Sequence, residues 1–374
     1  MRVSVLFDLS IVPHAIGGVS RYLLSLAGAL EEVAQEEGIE FNVLDVPAVH
    51  PGVPGPPVGC IELKTPFYLK IPFLRRIPIR RKWELLSRSR RIKQIAENCS
   101  IFHHSGVQPE YPANSRSVVT IYDLSALEHP EWHTGETVAF MEREAQMIRN
   151  GSRVVAISEW TAKQASVFFN IDPESICVAG GTADDVFTPG EPSVDTLRKL
   201  DLKTGEYLLH VGHLVPRKNI PFLVDIYYRA RERGLRFPLV MVGSSAWGNI
   251  SIEHDSNVRI IENIDDGILL DLYRGAGALL CPSMYEGLGL PAMEALACNT
   301  PVIAANATAL TETVGNRGML LNPDDPEEWI QALLMLKDPG KMGELRSMAV
   351  ASPRETWRDV ARRLCGFYRK IAEE

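Results

Sequence analysis

Thr188 to Pro192 reads TPGEP, and soon after it Tyr207 to Gly212 reads YLLHVG. A proline and glycine cluster closes one run of structure, and a short apolar run ending in glycine opens another. Before the break, short apolar and β-branched runs alternate with longer amphipathic segments, the pattern of parallel strands joined by helical crossovers. This alternation predicts strands at Val3 to Asp8, Phe41 to Val46, Ile101 to His104, Ser117 to Asp123 and Val154 to Ser158. After the break it predicts strands at Tyr207 to Gly212, Leu239 to Gly243, Val258 to Glu262, Ala278 to Pro282 and Pro301 to Ala305, with helix for the remainder. The fold class is therefore α/β, and a chain of 374 residues is too long for one ordinary core. Two Rossmann-like domains, 1–188 and 189–353, facing each other across a cleft, are the expectation. The Pro/Gly-rich stretch His50 to Gly59 reads as a loop, and Glu62 to Lys93 stands apart as a basic segment.

Composition narrows the function. A hydrophobic content of 45% is that of a globular protein, and a formal charge of −8 lacks the basic field a nucleic-acid binder needs. Any nucleotide bound is then a small ligand. The opening MRVSVLFD, Met1 to Asp8, is too short for a secretory signal and has no small-residue cleavage site, and no run approaches the roughly 20 apolar residues of a membrane span. A cytoplasmic location is expected. Cys60, Cys99, Cys177, Cys281, Cys298 and Cys365 form no C-x-x-C pair, so neither a disulfide framework nor a structural zinc site is indicated, and no tightly bound metal is expected.

Three stretches carry chemistry. Cys281 to Ala297 reads CPSMYEGLGLPAMEALA: a buried strand ends, a glycine-bearing loop turns, and a helix starts near Pro291. Gly287 and Gly289 let the backbone approach a ligand, and the N–H groups of the helix start suit a phosphate. Glu286 lies in the loop, placed to hold sugar hydroxyls, and Glu294 in the first helical turn, placed to accept from ribose hydroxyls. The plainer alternative is a tight turn with a carboxylate near a helix dipole. Leu209 to Asn219 reads LHVGHLVPRKN, with Arg217 and Lys218 at a helix N-terminus capped by Asn219, the end that disfavours positive charge. An anionic ligand resolves that conflict, and a solvated Arg-Lys pair is the alternative. Asp8 to Arg21 reads DLSIVPHAIGGVSR, where Gly17 and Gly18 precede a helix. It lacks G-x-G-x-x-G, so a dinucleotide cofactor is not supported, and either a contact to the transferring sugar or donor phosphate or a simple turn fits it.

Taken in order, Gly17-Gly18, the G-x4-[RK]-K-N of Gly212 to Asn219, the E-x7-E of Glu286 and Glu294 and a final helix at Trp357 to Tyr368 resemble the family 4 retaining glycosyltransferases (glycosyl transferases group 1) of the GT-B fold. The resemblance spans nearly the whole chain and is most specific in its second half. It implies a metal-independent hexosyltransferase that needs no cofactor, with a nucleotide-diphosphate sugar, GDP-mannose or a UDP-sugar, as co-substrate. It also implies a last helix, 354–374, that crosses back to the first domain. By the same resemblance Lys218 binds the diphosphate, Glu286 and the backbone from Gly287 through Leu288 and Gly289 to Leu290 bind sugar and phosphate, and Glu294 binds the ribose. Transfer with retention is implied, the acceptor hydroxyl attacking from the side the diphosphate leaves and the leaving phosphate taking its proton. Such chemistry needs positioning and charge stabilisation more than a protein nucleophile.

Two positions depart from the pattern. His213 stands where many relatives carry Arg, so either Arg217 supplies the second cation or His213 contacts phosphate as a neutral donor. Tyr122-Asp123 stands where many read His-Asp, so either Tyr122 donates to the sugar or the pocket favours another sugar. Asp123, Tyr122, Arg217, Lys218 and Glu286 form the candidate catalytic set, and one of His103, His104, His129 and His133 is a weaker candidate to assist acceptor deprotonation. A nucleotide-sugar epimerase and a catalytically silent nucleotide-sugar binding protein are the rival functions. The partners expected are a nucleotide sugar, a glycan or lipid-linked acceptor of surface polysaccharide or glycolipid synthesis, and no nucleic acid. Glu62 to Lys93 holds eleven Lys and Arg against two Glu, a net +9 interleaved with apolar side chains, a mixture suited either to an anionic membrane surface or to a solvated basic face packed on the first domain.

Overall fold

Val5, Leu6 and Phe7, like Leu208, Leu209, Ala278, Leu279 and Leu280, are buried at consecutive positions rather than at alternate ones. Strands of that kind need cover on both faces, which parallel sheets flanked by helices provide. The computed structural model describes residues 3–9, 17–44, 60–61, 98–104, 116–244, 257–350 and 355–374, and in these it contains two such sheets.

The first sheet comprises β1 (Ser4–Asp8), β2 (Glu40–Leu44), β3 (Cys60–Ile61), β4 (Ile101–His104), β5 (Ser117–Ile121), β6 (Arg153–Ala156) and β7 (Cys177–Val178), in the order β3-β2-β1-β4-β5-β6-β7. The second comprises β8 (Leu208–Val211), β9 (Leu239–Val242), β10 (Val258–Ile261), β11 (Ala278–Cys281), β12 (Val302–Ala305) and β13 (Met319–Leu321), in the order β10-β9-β8-β11-β12-β13. All pairings are parallel, with Val5 opposite both Phe41 and Ile101 in one sheet, and Leu208 opposite both Leu239 and Ala278 in the other. In each sheet the strand order reverses once, between β1 and β4 and between β8 and β11. Ligands of doubly wound sheets bind in the crevice outside the carboxyl ends at that point. The fold is thus the two-domain α/β architecture expected, and TPGEP lies between the last strand of one sheet and the first of the other.

Three strands fall outside the sequence reading. β3, β7 and β13 are two or three residues long, too short for a period of two to stand out from neighbouring apolar residues. Pairing also ends early on β5, so Tyr122 and Asp123 leave the sheet and enter the loop beyond it. The basic segment 62–93, the loop read at 50–59 and residues 10–16 of the first glycine stretch lie outside the described residues.

The last helix, Trp357–Glu373, belongs to the first domain's core. A capping box between Thr356 and Asp359 starts it, and Val360, Leu364, Tyr368 and Ile371 form one buried stripe against the helix Gly18–Glu36. Tyr368 reaches the sheet itself, its hydroxyl 2.6 Å from His103 Nδ1. Arg358 donates to Glu32 and Glu36 at the surface, which adds little energy but agrees with the docking. Leu288 and Leu290, from the second domain, pack into the same core cluster and join the two domains. Among the described residues no helix is long and apolar enough to cross a membrane.

Candidate functional site

The carboxyl end of β8 turns at Gly212, whose φ of 141° favours glycine. A Cβ at neighbouring Gly243, also at positive φ, would stand 2.2 Å from the Gly212 carbonyl oxygen. The tight crossing sends the chain through a single turn, Pro216–Lys218, before the helix Ile220–Glu232. Asn219 occupies the cap position in left-handed conformation, but its side chain makes no capping hydrogen bond, contrary to its reading as a side-chain cap. Met284 N–H donates to the Arg217 carbonyl at 2.8 Å, tying this loop to the one that leaves β11.

Glu286 lies on that second loop, its backbone N–H donating to Thr308 Oγ1 at 3.0 Å. Lys218 Nζ donates to its Oε1, and Arg217 Nη1 donates to its Oε2 at 3.1 Å and to the Tyr285 carbonyl at 2.9 Å. The placement of two cations here is therefore answered from within the protein, not by an external anion alone. Burial would push the Glu286 carboxyl up, but Lys218 and Arg217 outweigh it and bring it down to about 2. Burial likewise opposes the charge on Arg217, and Glu286 and Asp123 reverse the effect and raise its pKa. Both cations share Glu286, with Asp123 also acting on Arg217, and a diphosphate entering here can take over their hydrogen bonds.

Glu294 is the fifth residue of the helix Leu290–Ala297, at the start of its second turn and about one residue past the first-turn position expected. It is buried, accepts from the Tyr273 hydroxyl at 2.7 Å on Oε2, and stands 3.5 Å from Arg21 Nε on Oε1. Burial pushes it up to about 7, with Arg21 and Tyr273 holding it back. The helix start itself has Gly289 at φ 89° and no side-chain cap.

The first domain meets these loops directly. A Cβ on Gly17 would stand 3.3 Å from His213 Nε2, and one on Gly18 would stand 3.4 Å from Leu290 Cδ1. A Cβ on Gly287 would overlap the Tyr122 carbonyl oxygen at 1.7 Å, so only glycine permits this approach. Thr161 Oγ1 donates to the Gly287 carbonyl at 3.1 Å, and the Tyr285 hydroxyl donates to Glu128 Oε2 at 2.7 Å. Asp123 Oδ1 accepts from the Ser125 N–H at 2.9 Å and hydroxyl at 2.6 Å, and Ser125 Oγ lies 2.9 Å from His133 Nε2. Burial lowers the His133 pKa, so this imidazole is neutral near pH 7. The Tyr122 ring stands edge-on to Tyr22 at 5.9 Å, and its buried hydroxyl has no hydrogen-bond partner among the described residues.

The fold thus brings together Gly17, Gly18, Tyr122, Asp123, Gly212, His213, Arg217, Lys218, Glu286, Gly287, Leu288, Gly289, Leu290 and Glu294 between the domains. His103 is not among them: fully buried in β4, it lies 2.7 Å from Thr120 Oγ1 as well as by Tyr368, and burial drives its pKa to about 3. That correction removes it as an acceptor base. His104 is equally buried in the strand. His129 is stacked on Trp132 at 3.9 Å at the edge of the site. Sequence reasoning missed Arg21, Glu128, Ser125 and Tyr273. Arg21 had a signal, one helical turn beyond Gly17, whereas the others are specified by tertiary pairing. The five cysteines whose side chains are described are all free, and among the described residues no three His, Cys, Asp or Glu side chains cluster to hold a metal.

Residues 205–338 match the family model described as Glycosyl transferases group 1. The chain is 29% identical over 221 residues to O-antigen chain mannosyltransferase B of Escherichia coli, covering 56% of this chain and 58% of that protein. It is 32% identical over 253 residues to D-inositol 3-phosphate glycosyltransferase of Acidothermus cellulolyticus, covering 62% of this chain and 56% of that protein. The matches therefore span little more than half the length of these relatives. Among solved structures it is similar in fold to sucrose-phosphate synthase from Thermosynechococcus elongatus, with a TM-score of 0.69, 20% identity and 99% of each chain covered. It is also similar to HepE of Anabaena, solved in complex with UDP and glucose, with a TM-score of 0.63, 16% identity and 100% and 99% of the two chains covered.

Proposed function

The chain belongs to the family 4, group 1 glycosyltransferases of GT-B fold, and on that premise we propose that it moves a hexose from a nucleotide-diphosphate sugar to a glycan or lipid-linked acceptor, with retention and without a metal. The observation that carries this reading is the pairing of Glu286 with Lys218 and Arg217 across two loops that leave β8 and β11, closed over by Gly17, Tyr122 and Asp123 of the other domain. In this reading Lys218 and Arg217 take the diphosphate, Glu286 turns from its cations to the sugar hydroxyls, and Glu294 takes the ribose. Binding thus exchanges one set of charge-assisted hydrogen bonds for another. As the glycosidic bond to the diphosphate breaks, negative charge grows on the leaving phosphate, where Lys218 and Arg217 stand ready. The acceptor hydroxyl adds from the same face, its proton passing to that phosphate, and Asp123, fixed by Ser125, orients the acceptor. The names of the relatives support a mannosyl or other hexosyl donor in polysaccharide synthesis.

The test is release of nucleoside diphosphate from GDP-mannose and UDP-sugars, measured with and without oligosaccharide or lipid-linked acceptors and with and without chelator. Release that requires the acceptor and persists in chelator is expected. Sugar interconversion without acceptor points to an epimerase, and binding with no turnover on any acceptor points to a silent binding protein. Loss of activity in chelator, restored by magnesium or manganese, contradicts the metal-independent mechanism.

A further inference from the structure

Arg21 lies on the first turn of the helix Gly18–Glu36, and its guanidinium crosses to the second domain. Nη1 donates to Asp266 Oδ2 at 3.1 Å and to Asp184 Oδ2 at 3.3 Å, Nη2 donates to Asp266 Oδ1 at 2.5 Å, and Nε stands 3.5 Å from Glu294 Oε1. The guanidinium carbon also lies 5.2 Å from the centre of the Phe187 ring, and Ser25 Oγ donates to the other oxygen of Asp184. One cation is thus fixed from several sides, with its Nε turned toward Glu294. On the opposite side Tyr273 donates to the second oxygen of the same carboxylate.

We propose that Arg21 is a positioning residue for the nucleotide: with Tyr273 it holds Glu294 as an aimed carboxylate, leaving that group's remaining acceptor sites to the ribose hydroxyls. A carboxylate has about four lone-pair sites, so two protein partners still leave room for two ribose hydroxyls. The proposal rests on the reading of Glu294 as the ribose ligand. Because Arg21 comes from the first domain, the nucleotide half-site is complete only with the domains together. The charge balance agrees. Burial drives Glu294 toward its neutral form, Asp184 and Asp266 add to that drive, and Arg21 and Tyr273 oppose it. A protonated Glu294 has less to offer two hydroxyl donors, so nucleotide affinity falls as pH falls through its pKa. Loss of Arg21 moves that fall to higher pH.

Calorimetric titration of the full chain with UDP-glucose and with GDP-mannose, from pH 5.5 to 9, tests this, since the pyrophosphate of neither probe titrates in that range. For the probe that binds, the midpoint of the affinity loss is expected near 7 in the wild type, higher by about half a pH unit or more in Arg21→Gln, and back near the wild-type value in Arg21→Lys. An Arg21→Gln variant whose affinity drops equally at every pH, with the midpoint unmoved, overturns the proposal and leaves Arg21 a mere clasp between domains. Glu294→Gln separates the two layers of the argument: its affinity is expected to be low and flat with pH. Wild-type affinity and pH profile in Glu294→Gln would remove the ribose assignment itself.

Discussion

Lys218 and Glu286 occupy positions where neither charge would be stable alone, and each supplies the other's reason for being buried. Removing one partner of such a pair typically costs 3–5 kcal/mol because it strands the other charge. The glycines, Lys218 and the two glutamates were legible because each motif lies within a single loop. The pairing was not, since Lys218 and Glu286 are 68 residues apart and only the sheet order brings β8 beside β11. Glu144 illustrates a group with no sequence signal at all. It is 3% exposed on the helix Gly135–Arg149, its Oε2 has no hydrogen-bond partner among the described residues, and burial, with Asp123 adding, pushes it from 4.5 up to about 8. A carboxyl whose folded pKa is raised contributes stability that is complete below its ordinary pKa and is lost as pH rises through the folded value. The window here is therefore about 4.5 to 8. Glu144→Gln keeps the shape without the ionisation, so its melting temperature relative to wild type should climb by several degrees between pH 5 and pH 8.5, at roughly 2–4 °C per kcal/mol. A difference that stays constant across that range contradicts the assignment.

At the scale of elements, hydrophobic patterning located the long buried strands because parallel sheets covered on both faces require continuous apolar runs. It passed over β13, where Met319–Leu321 at the sheet edge is only three residues long and two of them are half-buried. The last helix was legible as part of the helical remainder of the chain, but its destination came from resemblance, and its anchor from neither. That anchor is the contact of Tyr368 with His103 Nδ1 at 2.6 Å, both residues fully buried. With its pKa near 3, His103 is neutral and its other nitrogen already engages Thr120, so no solvent replaces the lost partner. Tyr368→Phe should therefore cost about 1–3 kcal/mol, read as a lower midpoint in urea with an unchanged slope. An unchanged midpoint would mean that the helix is held by its apolar stripe alone.

For the whole molecule, catalysis as proposed depends on loops from both sheets meeting at their carboxyl ends: Gly17 against His213, Tyr122 and Asp123 against Gly287, Arg21 against Glu294. Which sugar fits is a matter of a few hydroxyl contacts within that meeting, which is why neither motif nor fold specifies it. Whether the acceptor reaches the cleft from a membrane is a separate question of charge. The net +9 over 62–93, within a chain of −8, suits either a solvated basic face or an anionic surface, where each cation close to it would add about 1 kcal/mol. Anionic vesicles should sediment with the protein at low salt and neutral ones should not, and replacing Arg75, Arg76, Arg80 and Arg81 with Gln should erase the difference. Indifference to both vesicle types would favour a soluble acceptor. The central claim, that the loops after β8 and β11 form a nucleotide-sugar site, is tested most directly by thermal shift with GDP-mannose and UDP-sugars on the wild type, Lys218→Ala and Glu294→Ala. At about 100 times the dissociation constant a ligand adds about 2.7 kcal/mol of stability, so at least one nucleotide sugar should raise the wild-type melting temperature by several degrees. Each variant, losing about 2 kcal/mol of a charge-assisted contact, should lose most of that shift while melting cooperatively on its own. A full shift retained in both variants, or none with any nucleotide sugar on the wild type, would contradict the claim.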